Sequence, residues 1–169
     1  MAVTRSPHKT KTELLALVRT LHPAITFTSG DAFMWSAHDS AVTYPAGATN
    51  AVSFAYSLLH EIGHGLLGHD AFANDLELTM LERDAWDKAV EISAQIDIVI
   101  PDDHIEACMD TYRDWLYTRS LCPHCHQCGI QMARTEYSCA FCRHSWTVSA
   151  SRLCRVTRRA IKKSPSGVL

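Results

Sequence analysis

Two histidines and a glutamate form the pattern HExxH at His60-Glu61-Ile62-Gly63-His64. Residues four apart lie on one face of an α-helix, so both imidazoles could reach a single zinc ion. Zinc lowers the pKa of a bound water toward ~7, and a neighbouring glutamate can accept the proton that this water releases. The pattern therefore predicts a catalytic zinc site in which His60 and His64 are ligands and Glu61 is the general base.

A catalytic zinc usually has a third protein ligand and keeps one position open. Glu82 lies on the apolar face of the next predicted helix, where a carboxylate needs a cationic partner, either a metal or a salt bridge. His69 could fold back onto the metal, or it could instead orient a ligand histidine. Asp70, six residues after His64, is another candidate. The residue types alone leave these alternatives open.

Four cysteines are spaced as CxxC–x13–CxxC, at Cys122, Cys125, Cys139 and Cys142. Four thiolates at two such turns form a closed tetrahedral zinc site, which predicts a structural zinc in a small ribbon. Cys128 is an alternative ligand, because Cys125 and Cys128 also have CxxC spacing. A ribbon of about 30 residues has little core of its own, so the metal should hold it folded.

The active-site histidines need a helix, and the apolar spacing predicts one from Asn50, as N-cap, to about Leu67. Gly68 follows where a left-handed C-terminal cap is expected. The spacing also predicts helices over 12–21, from about Asn74, and from Pro101 to about Arg119. Three short β-like runs precede the active-site helix, and we expect them to form a small antiparallel sheet over 24–28, 32–37 and 41–44. The predicted fold class is α+β.

The net charge of −2 conceals two regions of opposite sign. Residues 1–121 contain 8 basic and 17 acidic residues, whereas residues 122–169 contain 8 basic residues and only Glu136 as an acid. We therefore predict three segments: a metallopeptidase domain over 1–119, a zinc ribbon over 120–150 and a basic tail over 151–169. The tail could contact nucleic acid through phosphates.

No apolar run reaches the length of a membrane span, and the N-terminal residues do not have the pattern of a cleavable signal peptide. The seven cysteines are odd in number, and their CxxC spacing favours metal binding over disulfides. We expect a cytoplasmic protein without a membrane partner.

HEIGHGLLGHD followed by LERDAWDKA resembles the ImmA/IrrE family of zinc metallopeptidases, which are gluzincin-like. In that family a glutamate in a Glu-x-x-Ala setting follows HExxH, and Glu82 with Ala85 matches this setting. The resemblance covers residues 12–119. It implies a minimal gluzincin-like core with a three-stranded sheet, Glu82 as third zinc ligand, and hydrolysis of a protein substrate. In the better-known members that substrate is a helix-turn-helix transcriptional repressor.

A weaker resemblance is to SprT-like proteases, which combine HExxH with a C-terminal zinc ribbon in a chain of similar length. They take a third histidine beyond the motif, which would be His69 here, although Asp70 stands where that pattern has glycine. This resemblance implies action on proteins bound to DNA. A non-catalytic binding protein, in which ribbon and tail engage nucleic acid or a partner, is the remaining alternative.

Overall fold

The computed structural model describes residues 9–150 and 155–161. These residues form an α+β fold with four helices, a three-stranded sheet and a four-stranded sheet, and the predicted fold class is confirmed. Nowhere in the described ranges is a helix both long and apolar enough to cross a lipid bilayer. The tail residues Arg152, Cys154, Lys162 and Lys163 lie outside the described residues.

The helices begin and end close to the predicted positions. They are α1 (Lys11–Leu21), α2 (Ala51–Leu67), α3 (Asp75–Gln95) and α4 (Asp102–Ser120). Thr10 caps α1 in a capping box with Glu13, and Asn50 caps α2 by accepting hydrogen bonds from two backbone N–H groups. The left-handed Gly68, with φ of 67°, ends α2.

The first sheet is mixed, so the predicted antiparallel arrangement is wrong for one of its two strand pairs. It contains β1 (Thr26–Gly30), β2 (Met34–Ser36) and β3 (Ala41–Pro45) in the order β1-β3-β2. A short turn through Ser40 pairs β2 and β3 as an antiparallel hairpin, which leaves β1 to pair in parallel with the other edge of β3. The sequence pattern marks which side chains are buried but carries no information on strand direction.

The described residues group into two compact units. The first unit comprises the chain through Ala71 together with Met80–Glu106, and the second comprises Phe72–Thr79 together with the chain from Ala107 onward. Residues 72–79 and 107–119 were part of the predicted peptidase segment, and they group with the cysteine-rich region. Helices α3 and α4 therefore each contribute to both units.

The second sheet belongs to the second unit and is antiparallel, in the order β4-β5-β6-β7. Its strands are β4 (Ile130–Ala133), β5 (Glu136–Ser138), β6 (Ser145–Val148) and β7 (Arg158–Ala160). Strand β7 falls within the range assigned to the basic tail. A small buried cluster lies on this sheet and consists of Cys122, Tyr137, Cys139, Trp146 and Val148.

A buried ion pair also stabilises the second unit. Arg119 is fully buried, and its Nη1 lies 3.2 Å from Oδ1 of Asp75 in the first turn of α3. Its Nη2 donates a hydrogen bond to the backbone carbonyl of Arg134, and its guanidinium lies 4.2 Å from the Trp115 ring centroid. The Tyr137 hydroxyl donates to the second carboxylate oxygen of Asp75. This network connects α3, α4 and the sheet within the unit.

Candidate metal centres

Helix α2 presents His60 and His64 one turn apart, and α3 brings Glu82 opposite them. The Nε2 atoms of the two histidines lie 3.1 Å apart. Oε2 of Glu82 is 3.1 Å from Nε2 of His60 and 3.6 Å from Nε2 of His64. His60 and Glu82 are buried, and the His64 side chain is 13% exposed. Three ligand-type atoms therefore converge on one point in the first unit.

This spacing fits a tetrahedral metal ion. Nitrogen and oxygen ligands about 2.1 Å from a tetrahedral ion lie about 3.4 Å from one another, and the three observed separations bracket that distance. Among the described residues at this site, His60, His64 and Glu82 bring one ligand atom each within 4.8 Å of the others. The three side chains could hold a metal ion and would leave its fourth position open.

The electrostatics of the cluster favour the charged form of Glu82. Burial alone raises the pKa of this carboxylate, but hydrogen bonds and charge attraction with His60 and His64 together outweigh burial and hold the pKa well below its ordinary value. Glu82 is therefore an anion whose neighbours are imidazoles, which is the donor set that a divalent cation such as zinc prefers.

Glu61 lies beside this cluster and is held by strand β2. Its Oε2 accepts a 2.7 Å hydrogen bond from the backbone N–H of Trp35. Burial raises the pKa of Glu61, while the nearby His60 and His64 and the Trp35 hydrogen bond act in the opposite direction. A partly buried carboxylate with a raised pKa is a stronger base than an exposed one, which suits a group that must accept a proton.

The other two candidate ligands are not in the cluster. His69 contacts His64 through Nδ1, at 2.9 Å from Nδ1 of the His64 ring, whereas the cluster forms around Nε2. Asp70 is exposed. The structure thus brings together His60, His64 and Glu82. It places His69 behind His64, at the Nδ1 atom of the ring rather than at Nε2.

Two tryptophans and one glycine contribute to this site without having been predicted from the sequence. Trp35 holds Glu61 from β2, and the Trp86 ring lies 4.3 Å from the His60 ring centroid. Gly63 is needed for close helix packing, because a Cβ there would overlap the backbone carbonyl oxygen of Ala85. The only sequence signal for Trp86 was its position one turn after Glu82, and nothing local indicated Trp35.

The second unit contains the predicted four-cysteine cluster. Sγ of Cys122 lies 3.6 Å from Sγ of Cys142, and Sγ of Cys125 lies 3.5 Å from Sγ of Cys139. All four sulfur atoms are within 4.8 Å of one another. Sulfur ligands about 2.3 Å from a tetrahedral ion lie about 3.8 Å apart, so the four thiols could hold a metal ion in a zinc ribbon.

Backbone amides favour the thiolate form at these cysteine turns. The N–H groups of Cys142 and Phe141, together with the Cys125 thiol, lower the pKa of Cys139 to about 7. The backbone N–H of His124 lies 3.4 Å from Sγ of Cys122. Cys128 is exposed and does not belong to the cluster.

No protein-family model, curated protein or solved structure matches this chain. The two ligand clusters are therefore supported by the geometry of the chain itself. One cluster offers three ligand-type side chains, His60, His64 and Glu82, and the other offers four cysteines.

Proposed function

We propose that this chain is a zinc-dependent metalloendopeptidase, a hydrolase that cleaves peptide bonds of a protein substrate. One observation carries the proposal: His60, His64 and Glu82 converge at metal-ligand spacing, and Glu61 lies beside them on α2, the helix that carries both histidines. Three protein ligands with a fourth position open are typical of catalytic zinc, whereas structural zinc sites are closed.

Zinc in this site would polarise the scissile carbonyl and lower the pKa of a water near it. Glu61 would accept a proton from the attacking water and then donate it to the leaving amine. The Trp35 N–H would hold the carboxylate through Oε2 during both transfers. Burial supports this role, because it makes Glu61 more basic than an exposed glutamate.

The substrate would bind as a strand along β2. This strand lies at an edge of its sheet, and its hairpin partner β3 is followed along the chain by the site helix α2. An exposed sheet edge can pair with an extended peptide through backbone hydrogen bonds. Trp35 joins that edge to Glu61, so a peptide paired with β2 would run past the general base.

The matching setting of Glu82 and Ala85 leads us to favour an ImmA/IrrE-type peptidase, with a DNA-binding repressor as substrate and a cytoplasmic location. The position of His69 behind His64 supports Glu82 over His69 as third ligand, and therefore this interpretation over a SprT-like one.

For the second unit we propose a structural zinc at the four cysteines. Exposed Arg155 and Arg159 would add contact with nucleic acid.

The proposal is tested with Glu61→Gln, which keeps the size of the side chain and removes the base. The native chain and the variant are loaded with zinc and incubated with a peptide library prepared from a whole proteome. New N-termini are then counted by mass spectrometry. We expect native protein to generate new termini and Glu61→Gln to be slower by at least ~10²-fold while retaining its zinc.

A chelator-treated native sample is the matched control, because it should lose the same activity without any change of sequence. Equal cleavage by native protein and Glu61→Gln would contradict the mechanism. Zinc bound at the His-His-Glu site without cleavage of any peptide would instead favour a non-catalytic binding protein.

A further inference from the structure

We propose that His69 is a positioning residue for His64, and that Trp35 holds His69 in place for this role. The inference rests on the proposed metal centre and extends it beyond the atoms that would touch the metal. His69, an alternative third ligand in the sequence, would thus orient a ligand instead. The Trp35 side chain would have a role separate from the contact of its backbone N–H with Glu61.

The geometry at His64 carries the argument. A neutral imidazole that binds a metal through Nε2 bears its proton on Nδ1, and that proton needs an acceptor. Nδ1 of His69 lies 2.9 Å from Nδ1 of His64. His64 would therefore donate and His69 would accept, which fixes the orientation of the His64 ring and keeps Nε2 directed at His60 and Glu82.

Two hydrogen bonds fix the backbone of His69. Its N–H donates to the carbonyl of His64 at 3.0 Å, across the left-handed Gly68. Its own carbonyl accepts the indole N–H of Trp35 at 2.8 Å. The indole packs closely against Gly65, where a Cβ would lie 3.0 Å from a ring carbon. Strand β2 is thereby linked through Trp35 and His69 to the ring of a ligand.

The other histidine ligand is oriented differently. Nδ1 of His60 is buried and has no hydrogen-bond partner among the described residues. The His60 ring instead packs against Trp86, with a centroid separation of 4.3 Å and an angle of 32° between the rings. A change at His69 should therefore act on His64 and leave the orientation of His60 intact.

The test measures zinc affinity with the full-length chain. The four-cysteine site is first filled with one equivalent of zinc, and a second equivalent is titrated against a chromophoric chelator. His69→Phe keeps a ring but removes the acceptor, and His69→Asn restores an oxygen near the position of Nδ1. Trp35→Phe removes the indole N–H while keeping the backbone N–H that holds Glu61. His38→Phe is the matched control, because the His38 side chain is 95% exposed.

We expect His69→Phe to weaken zinc binding by about 10-fold, the lower end of what losing such a hydrogen-bond partner costs. His69→Asn should recover most of the loss, and His38→Phe should bind as tightly as the native chain. Trp35→Phe should weaken binding by a smaller factor. The double variant Trp35→Phe/His69→Phe should be no weaker than His69→Phe alone, because Trp35 acts through His69.

Native affinity in His69→Phe would overturn the inference. So would losses that multiply in the double variant, or complete loss of the second zinc in His69→Phe, which would make His69 a ligand. If His69→Phe does not fold, native affinity in Trp35→Phe overturns the inference. All these readouts are affinities, so failure of the native chain to cleave peptides would count against the proposed peptidase without altering this result.

Discussion

Glu82 and Arg119 are charged side chains with almost no exposure to solvent, and each has a specific counterpart. Glu82 is 6% exposed and faces two imidazoles, while Arg119 pairs with Asp75. A buried charge without a partner is costly, so removal of the partner should cost far more than loss of an exposed ion pair. The two charges thus have different roles: one belongs to a candidate metal site and the other supports the second unit.

Asp75→Ala tests the role of the second pair. It leaves the Arg119 guanidinium buried without a carboxylate and also removes the acceptor of the Tyr137 hydroxyl. We expect the free energy of unfolding to fall by about 3 kcal/mol in urea titrations. Asp110→Ala is the control, because it breaks an exposed pair with Arg113 and should cost less than about 1 kcal/mol. Similar losses of unfolding free energy in both variants would show that the buried pair contributes no more to stability than the exposed pair.

Among individual residues, the sequence predicted those whose partners lie close to them along the chain. His60, Glu61 and His64 follow from one helical turn, and the four cysteines follow from two CxxC turns. Glu82 was found because a carboxylate on an apolar stripe needs a partner. Trp35 and the Asp75–Arg119 pair were missed, because these contacts join residues 26 and 44 positions apart in the chain and leave no periodic signal.

The elements α2 and α3 are in close backbone contact beside the candidate site. Gly63 lies between His60 and His64, the two candidate ligands of α2, and Ala85 lies one turn after Glu82 on α3. A Cβ at position 63 would overlap the Ala85 carbonyl oxygen and lie 3.2 Å from its carbonyl carbon. This contact involves backbone, which cannot move aside without shifting a helix. The glycine therefore sets the separation of the ligands that the two helices carry.

Gly63→Ala should consequently lower the free energy of unfolding by about 1–3 kcal/mol, the usual cost of overpacking. Urea denaturation of the full-length chain measures the loss. Gly47→Ala is the matched control, since a Cβ there would meet no atom within 4 Å and should leave stability nearly unchanged. Equal stability of the two variants would contradict close packing of α2 on α3.

Elements with strong local signals were predictable, and those fixed by pairing were not. The caps at Asn50 and Gly68 gave the limits of α2 directly. The direction of β1 depends on which edge of β3 remains after the hairpin forms, and a single strand does not encode that choice. Strand β7 was missed because Arg158 and Arg159 have the composition of a solvated tail, although they pair with β6.

At the scale of the whole molecule, the change of charge near residue 121 falls where the four-cysteine region begins. That region has a buried cluster of only five residues, so a metal ion should supply much of its stability. The chain therefore has two clusters that could hold a metal ion, one with three ligand-type side chains in the first unit and one with four cysteines in the second.

Cys142→Ser tests the closed site. We expect the variant to bind one zinc fewer than the native chain and to become sensitive to limited proteolysis over residues 121–150, because the sheet loses its metal support. Cys128→Ser is the control, since this thiol is exposed and outside the cluster, and it should keep the native zinc content. Loss of zinc in Cys128→Ser but not in Cys142→Ser would contradict this assignment and make Cys128 a ligand in place of Cys142.

The zinc content of the purified chain tests whether His60, His64 and Glu82 hold a zinc ion. Elemental analysis should find two zinc ions per native chain and one in Glu82→Ala. It should find two in Glu91→Ala, which removes an exposed glutamate from the same helix. One zinc in the native chain, or two in Glu82→Ala, would contradict zinc binding by these three residues.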